Sequence, residues 1–405
     1  MKTLSQLLKI NFYIVVVILF ALQIHNALLY PVTKGFDAND HIFYIETIKN
    51  GHRFPLANEG GQTDHPPLYF WVASIFPSIE MVKVLGVLAW VTLLLISYFY
   101  FNRILNNRVL ALIGTVLVGS LPAVIYTTPQ ISNELFSAVM VSATLAYYTV
   151  RFNKEKEQDL LILGTFLGLC ILSKVTGVVL ILSIIVDLLL RNKKNIRNII
   201  PTILLLLTTT LLVGGSFYLR NFILFHNPFI ITTDFPGQEL HQLPGYRDLR
   251  FFTDVSGFLK LDLFHAHYYS LWAGTYFSWF YDGHNSLIPV QEFSKSGVLL
   301  VIASIPISII SLIGIIREIK NTKNLLLIMY PALLFIFYIY FNLRLPYYSS
   351  VKGIYLLSAV LPFTYFILKG LESMPRRFFP FFIFYLDIYV LLVTKNFWIL
   401  PQWVK

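Results

Sequence analysis

Between Gly35 and Trp71 the chain concentrates Asp37, Asp40, His41, Glu46, Glu59, Asp64 and His65. If residues 37–44 are helical, spacings of three and four place Asp37, Asp40, His41 and Tyr44 on one face. A carboxylate held partly out of water at a membrane surface can act as a general base on a hydroxyl or amine. Aspartate is also a favoured helix N-cap, so Asp37 has a structural reading beside the catalytic one. Lys174 interrupts an apolar stretch, Arg220 sits where another stretch ends, and Arg344 and Lys352 flank a third connection. Cations at one membrane depth suit a lipid-linked phosphate, Arg through its two-pronged fork and Lys as a point charge. The same residues near helix ends can equally snorkel to the interface. His265 and His267, with Asp262 before them, form a further polar cluster. Two histidines two apart do not share a helical face and lack assigned third and fourth ligands, which leaves sugar binding or solvation beside metal ligation.

These residues sit in a chain of 405 residues that is 56% hydrophobic and 13% charged, with a mean hydropathy of +0.68. Soluble domains carry roughly 25% charged residues, so the composition is that of an integral membrane protein. Eleven apolar stretches are expected to form helical spans, near 10–30, 79–101, 109–126, 133–150, 159–172, 176–190, 199–219, 297–316, 324–341, 354–370 and 378–400. Each approaches the length that crosses a hydrocarbon core of ~30 Å as a helix. The first follows Met1–Lys9 without a small-x-small cleavage site, and we read it as a retained span. Cys170 is the single cysteine and lies in an apolar run, which excludes an intrachain disulfide.

Counting alternate connections gathers more than half of the 31 Lys and Arg on one side, in short connections such as Arg151–Lys156 and Arg191–Arg197. The positive-inside rule makes that side, and the N-terminus, cytoplasmic. The net charge of +10 is then a topology signal, and nucleic-acid binding is not needed to explain it. Two long connections, 31–78 and 220–296, fall on the outer side. They are too aromatic for solvated linkers and are expected to hold short juxtamembrane helices. We expect one integral membrane unit over 1–405, with the first long connection as its catalytic loop.

The motifs resemble those of the GT-C glycosyltransferases that use polyprenyl-phosphate sugars, a class that includes protein O-mannosyltransferases and the aminoarabinose transferases of lipid A. Asp37, His41 and Tyr44 match the acid, histidine and aromatic of the first outer loop, and His65-Pro66-Pro67-Leu68-Tyr69 matches its second motif. Ala38 stands where the class carries a second acid, and Asp40 is the candidate substitute. Ser173-Lys174-Val175-Thr176-Gly177 is similar to a lysine-containing turn, and Tyr218-Leu219-Arg220-Asn221 followed by Asn227-Pro228 to an Arg-Asn and Asn-Pro segment. Gly353-Ile354-Tyr355-Leu356 is similar to a Gly-Arg-Tyr-Leu motif whose Arg is Ile354 here, with Lys352 nearby to supply the charge.

The resemblance implies an all-α polytopic GT-C-like bundle. Its catalytic residues would be Asp37, Asp40 and His41, with Asp64, His65, Tyr69, Lys174, Arg220, Lys352 and Tyr355 binding substrate. The reaction implied is inverting transfer of a sugar from a polyprenyl-phosphate donor to a lipid, glycan or protein acceptor, on the outer face of the cell membrane. No cofactor is required by the sequence, although a divalent cation is compatible with it, and no metal ligands are assigned. Two alternatives remain at this level: a ligase using a polyprenyl-diphosphate oligosaccharide, and a lipid or glycan transporter. Neither the internal repeat nor the mid-bilayer polar break common in transporters is visible. Trp279-Phe280-Tyr281-Asp282-Gly283 superficially resembles the WWDYG signature of oligosaccharyltransferases, but in a different order, and is read as a chance match.

Overall fold

The structure is a computed structural model that describes residues 2–237, 247–287, 294–320 and 324–400, without the side chains of 2–8, 294 and 376. Parts of the second long connection, 238–246 and 288–293, therefore lie outside the described residues, as do Glu239, Glu292 and Lys323. The described residues are helical and contain no strand. In chain order the α-helices are α1 (Lys2–Leu29), α2 (Ala38–Gly51), α3 (Leu68–Ser74), α4 (Ile79–Leu105), α5 (Arg108–Ser120), α6 (Pro122–Thr127), α7 (Asn133–Val150), α8 (Glu157–Ser173) and α9 (Gly177–Arg191). They continue as α10 (Ile196–Phe225), α11 (Leu249–Thr253), α12 (Ser256–Lys260), α13 (Ala266–Tyr269), α14 (Leu271–Phe280), α15 (Ser294–Glu318), α16 (Leu325–Arg344), α17 (Val360–Glu372) and α18 (Phe379–Phe397).

Seven stretches among the described residues are long and apolar enough to cross a membrane: Lys9–Leu29, Ile79–Leu105, Ile196–Phe225, Lys295–Glu318, Leu325–Arg344, Tyr348–Glu372 and Phe379–Phe397. The other four expected spans coincide with helices too, but shorter or differently divided ones. The stretch at 109–126 is broken, because Pro122 lacks an N–H and pushes Leu121 into an extended conformation (φ −62°, ψ 122°), so α6 starts afresh with the proline in its first turn. The expected span at 354–370 begins as a 3-10 helix over Gly353–Ala359 before α17 takes over. α10 runs past the expected end at 219, so Arg220 is a helical residue and not the first residue of a loop.

Both long connections contain short helices: α2 and α3 in the first, α11 to α14 in the second. α14 is largely buried, and its Tyr276 hydroxyl bonds Ser304 Oγ of α15 at 2.8 Å while Thr275 Oγ1 meets the Tyr338 hydroxyl of α16 at 2.8 Å. The C-terminal segment closes over the end of α1. Asn26 Nδ2 donates to the Phe397 carbonyl at 2.8 Å, and the His25 ring stacks on Trp398 at 3.9 Å between centroids. Asp187 accepts from Tyr148 (2.7 Å) and Arg191 (2.6 Å), and Asp387 from Asn11 (3.0 Å).

Without a hydrophobic driving force between helices in lipid, close backbone approach does much of the packing, and small residues permit it. α15 and α17 meet through Gly314 and Gly370: a Cβ on Gly314 would stand 1.9 Å from the Phe366 carbonyl oxygen, and one on Gly370 2.1 Å from that of Ile310. Gly370→Ala must push the helices apart and is expected to destabilise the protein by about 1–3 kcal/mol. Gly215→Ala in α10, where a Cβ meets only Leu211 at 3.4 Å, should be close to neutral. Thermal unfolding of the detergent-solubilised variants measures the difference.

Candidate functional site

α1 delivers the chain to the first long connection at Tyr30. That corner is pinned from two sides, by Lys83 Nζ of α4 donating to the Tyr30 carbonyl at 2.8 Å and by the Tyr30 hydroxyl donating to the Ser286 carbonyl. Gly35 then takes φ +105°, with the Gln130 side chain 3.2 Å from where a Cβ would be. Only glycine suits both the angle and the space. Two residues later Asp37 adopts a left-handed conformation (φ 54°) at the N-cap position of α2. Its carbonyl accepts from the His41 amide at 3.0 Å, but its carboxylate makes no capping bond. The capping reading of Asp37 therefore accounts for its backbone and not for its exposed side chain.

His41, His65, Lys352 and Tyr355, from separate segments of the chain, all feel the charge of this carboxylate. His41 is 3% exposed, stacks on Phe70 with centroids 5.5 Å apart, and lies 6.1 Å from the His65 ring. Its Nδ1 is buried without a partner among the described residues. Burial, reinforced by His65, drives His41 down to about 3, and burial with the Lys174 charge drives His65 down to about 4, so both rings are neutral at physiological pH. His65 Nδ1 meets Asn133 Nδ2 at 3.1 Å, and its carbonyl accepts from the Tyr44 hydroxyl at 3.2 Å. The His41 ring also feels the charges of Asp37, Lys174 and Lys352, which places these groups together.

The cations differ in how they are satisfied. Lys174, at the end of α8, forms a buried salt bridge with Glu134 of α7 and lies over the Tyr355 ring, 5.1 Å from its centroid. The cap of α7 is Ser132, whose Oγ accepts from the Glu134 amide at 3.3 Å, and this leaves Asn133 for His65 and Glu134 for Lys174. Lys352 is 4% exposed, sits 3.9 Å over the Phe36 ring and 6.0 Å from that of Tyr355, and feels Asp37 and Glu134. Arg220 projects from α10 toward Tyr44 and Glu59, over the Phe217 ring at 5.2 Å. Its Nε and Nη2 are buried and unpaired among the described residues. Arg344 instead donates from the single nitrogen Nη2 to both carboxylate oxygens of Asp234, at 2.9 and 2.8 Å, and so is already paired with an acid.

The remaining expected residues take different places. Asp40 packs against the Gly60–Gly61 turn, where a Cβ on Gly61 would stand 2.4 Å from its carboxylate oxygen; burial and then the Asp37 charge push Asp40 upward. Tyr69 is 3% exposed and enclosed by Phe70 and Phe136. Asp64 accepts from Thr232 Oγ1 at 3.0 Å and so links the two long connections. His265 turns outward to Asp262 at 3.0 Å, whereas His267 turns inward and stacks on His284, 4.2 Å between centroids. No group of three His, Cys, Asp or Glu side chains is arranged to hold a metal ion among the described residues. Asp282, from the chance motif, closes a turn by accepting from the Ser286 and Leu287 amides at 2.9 and 2.7 Å. Sequence reasoning missed His284, Phe36 as the ring under Lys352, and Arg247, and assigned no role to Glu134. Adjacent position to an N-cap hid Glu134, and nothing in the local sequence pairs it with a lysine 40 residues away.

Residues 64–214 match the model of the dolichyl-phosphate-mannose-protein mannosyltransferase family, less than half of the chain. Among solved structures, ArnT from Cupriavidus metallidurans bound to undecaprenyl phosphate is similar, with a TM-score of 0.57 and 12% identity over 92% of this chain and 61% of that one. The Archaeoglobus fulgidus oligosaccharyltransferase in its apo form is similar with a TM-score of 0.53 and 13% identity, over 97% of this chain and 56% of that one. The chain thus spans about three-fifths of the length of these two proteins. No curated protein matches. The protein is a multi-pass membrane protein that shares its fold with these two solved structures.

Asp64 provides a test of how the two long connections are coupled. Burial raises it to about 6, against the opposing hydrogen bonds from Thr232. A carboxyl group whose folded value lies above its unfolded one favours the folded state when protonated, so stability declines as pH rises from the ordinary aspartate range through 6. Asp64→Asn removes that penalty. Its thermal midpoint should exceed that of the wild type at pH 7.5 and the gap should narrow at pH 5, as read by differential scanning fluorimetry at the two pH values.

Proposed function

We propose that this protein is an inverting glycosyltransferase that moves a sugar from a polyprenyl-phosphate donor to an acceptor on the extracytoplasmic side of the membrane. The observation that carries the reading is the side-on edge of Arg220, Nε and Nη2, buried and without an acceptor among the described residues toward the end of a membrane-spanning helix. A guanidinium edge of this kind is matched by two oxygens of a phosphate. The local charge count points to a single negative charge as the ligand. Lys174 is paired with Glu134, Lys352 lies within reach of Asp37, and Arg220 is left over. A phosphodiester, the linkage in a polyprenyl-phosphate sugar, carries one negative charge, whereas a diphosphate linkage carries two.

The exposed Asp37 carboxylate takes the proton of the acceptor hydroxyl or amine as that atom attacks the anomeric carbon. The bond from the anomeric carbon to the phosphate oxygen breaks, and the electron pair leaves with polyprenyl phosphate. A single in-line displacement inverts the anomeric configuration. The leaving phosphate gains negative charge in this step, and Arg220 with Lys352 stabilises it there. His41 and His65, neutral and enclosed, shape the floor beneath Asp37 and leave its charge uncompensated by imidazolium. The basic connections at the other end of the helices support the outward placement of this site through the positive-inside rule, and the matched family and the ArnT likeness support a lipid-phosphate donor.

The test uses the purified full chain in detergent or nanodiscs, with polyprenyl-phosphate and polyprenyl-diphosphate sugars supplied separately and carrier release followed. Asp37→Asn should lower turnover of the monophosphate donor by about 10²–10⁴-fold while leaving donor binding intact, as expected for loss of a general base. Arg220→Gln should weaken donor binding by about ten-fold or more, the scale of a charge-assisted hydrogen-bond pair. Unimpaired transfer by a folded Asp37→Asn sinks the base assignment, and consumption of only the diphosphate donor replaces the monophosphate reading.

A further inference from the structure

Arg247 is the second guanidinium of the outer region that the fold leaves unsatisfied. It lies in the second long connection just before α11, with its guanidinium over the Phe251 ring, 4.0 Å from the centroid. One nitrogen is anchored: Nη2 donates to the Tyr347 carbonyl at 2.7 Å and approaches Ser350 Oγ at 3.4 Å. The other two, Nε and Nη1, are buried and find no acceptor among the described residues. Among the described residues no carboxylate acts on it; the group whose charge does is the Tyr338 phenol. Charged donors left buried and unpaired are costly, and an incoming anion at either free nitrogen would offset that cost.

Its position relates it to the site already described. The segment that holds Nη2, Tyr347–Ser350, leads directly into Lys352, and both Arg247 and Lys352 act on the His267 ring. His267 stacks on His284, and His284 Nε2 must carry its proton, because it bonds the Val351 carbonyl at 2.6 Å. Phe36, the ring under Lys352, makes an edge contact with His284 at 5.8 Å, which joins this cluster to the turn that presents Asp37. Arg220 stands on another flank, facing Tyr44 and Glu59, and none of the groups that act on it acts on Arg247.

We propose that Arg247 anchors a second oxyanion subsite, separate from that of Arg220, and that it receives a phosphate or carboxylate group carried by the acceptor. The chemical class of the acceptor is then an anionic one, presented so that its nucleophilic hydroxyl or amine reaches Asp37 while its anion rests on Arg247. The assignment of this anion to an acceptor rests on the glycosyltransferase reading; the binding of an oxyanion at Arg247 does not.

Two binding arms separate these points. Polyprenyl phosphate is titrated into the full chain first, and inorganic phosphate is then titrated into the polyprenyl-phosphate-saturated protein, both by calorimetry. In the wild type the second titration should be saturable. Arg247→Met, which keeps an apolar stem over Phe251, should weaken it by about ten-fold or more while polyprenyl-phosphate binding stays as in the wild type. Arg247→Lys, which keeps the charge and guards against a folding defect, should fall between the two, because an ammonium replaces two fixed donors by a point charge. Arg220→Gln should show the opposite pattern. Wild-type phosphate binding in Arg247→Met overturns the proposal, and so does loss of polyprenyl-phosphate binding in that variant, which would make Arg247 part of the donor site. If the wild type fails to bind polyprenyl phosphate, the glycosyltransferase reading falls, and the inorganic-phosphate arm alone still decides Arg247.

Discussion

The buried salt bridge between Lys174 and Glu134 is the contact on which the arrangement of the site depends. It joins the end of α8 to the start of α7, with both side chains only 10% exposed, and lays the ammonium over the Tyr355 ring. Taking two charges out of water costs several kcal/mol per ion, and breaking such a pair from one side typically costs about 3–5 kcal/mol because the other charge is left buried. The pair therefore commits three segments, α7, α8 and the stretch around Tyr355, to one mutual position. Once Glu134 is used in this way, Lys352 is left to feel Asp37, and Arg220, which faces Glu59, keeps two donors without a hydrogen-bond partner among the described residues.

The loops are tied to that frame by polar contacts between distant parts of the chain. Thr232 of the second connection donates to Asp64 of the first, and Asp234, two residues on, holds Arg344 at the end of α16. The Tyr30–Ser286 and Gln130–Ser286 bonds pin the turn that leads to Asp37, and Asp282 in turn holds Ser286 at 2.8 Å. An exposed acid presented from a left-handed residue is useful only if its backbone is held from several sides. Here the holding groups come from α1, α4, α6–α7 and the second connection. The two long connections consequently behave as one polar assembly resting on the apolar helices and not as two independent loops.

Much of the architecture was legible in the sequence. All eleven apolar stretches fall on helices, because local composition alone decides whether a backbone in lipid can satisfy its own hydrogen bonds. The clustering of Asp37, His41 and His65 was legible for the same local reason: α2 puts Asp37 and His41 within one turn, and the Pro66-Pro67 pair sets His65 just before α3. Helix ends were legible less well. Pro122 broke a stretch that hydropathy alone made continuous, and α10 ran six residues beyond its expected end.

Tertiary structure decided which charges are free. In sequence Lys174, Arg220, Arg344 and Lys352 are equivalent cations near helix ends. In the fold Lys174 meets an acid 40 residues away and Arg344 one 110 residues away, whereas Arg220, and the unexpected Arg247, keep unpaired donors. Composition and periodicity determine that a residue is buried or exposed along its own helix, since that follows from neighbours three and four positions apart. Pairing between segments depends on how helices cross, which is set by glycines such as Gly314 and Gly370 and by turns such as that at Gly35, and no local pattern encodes the result.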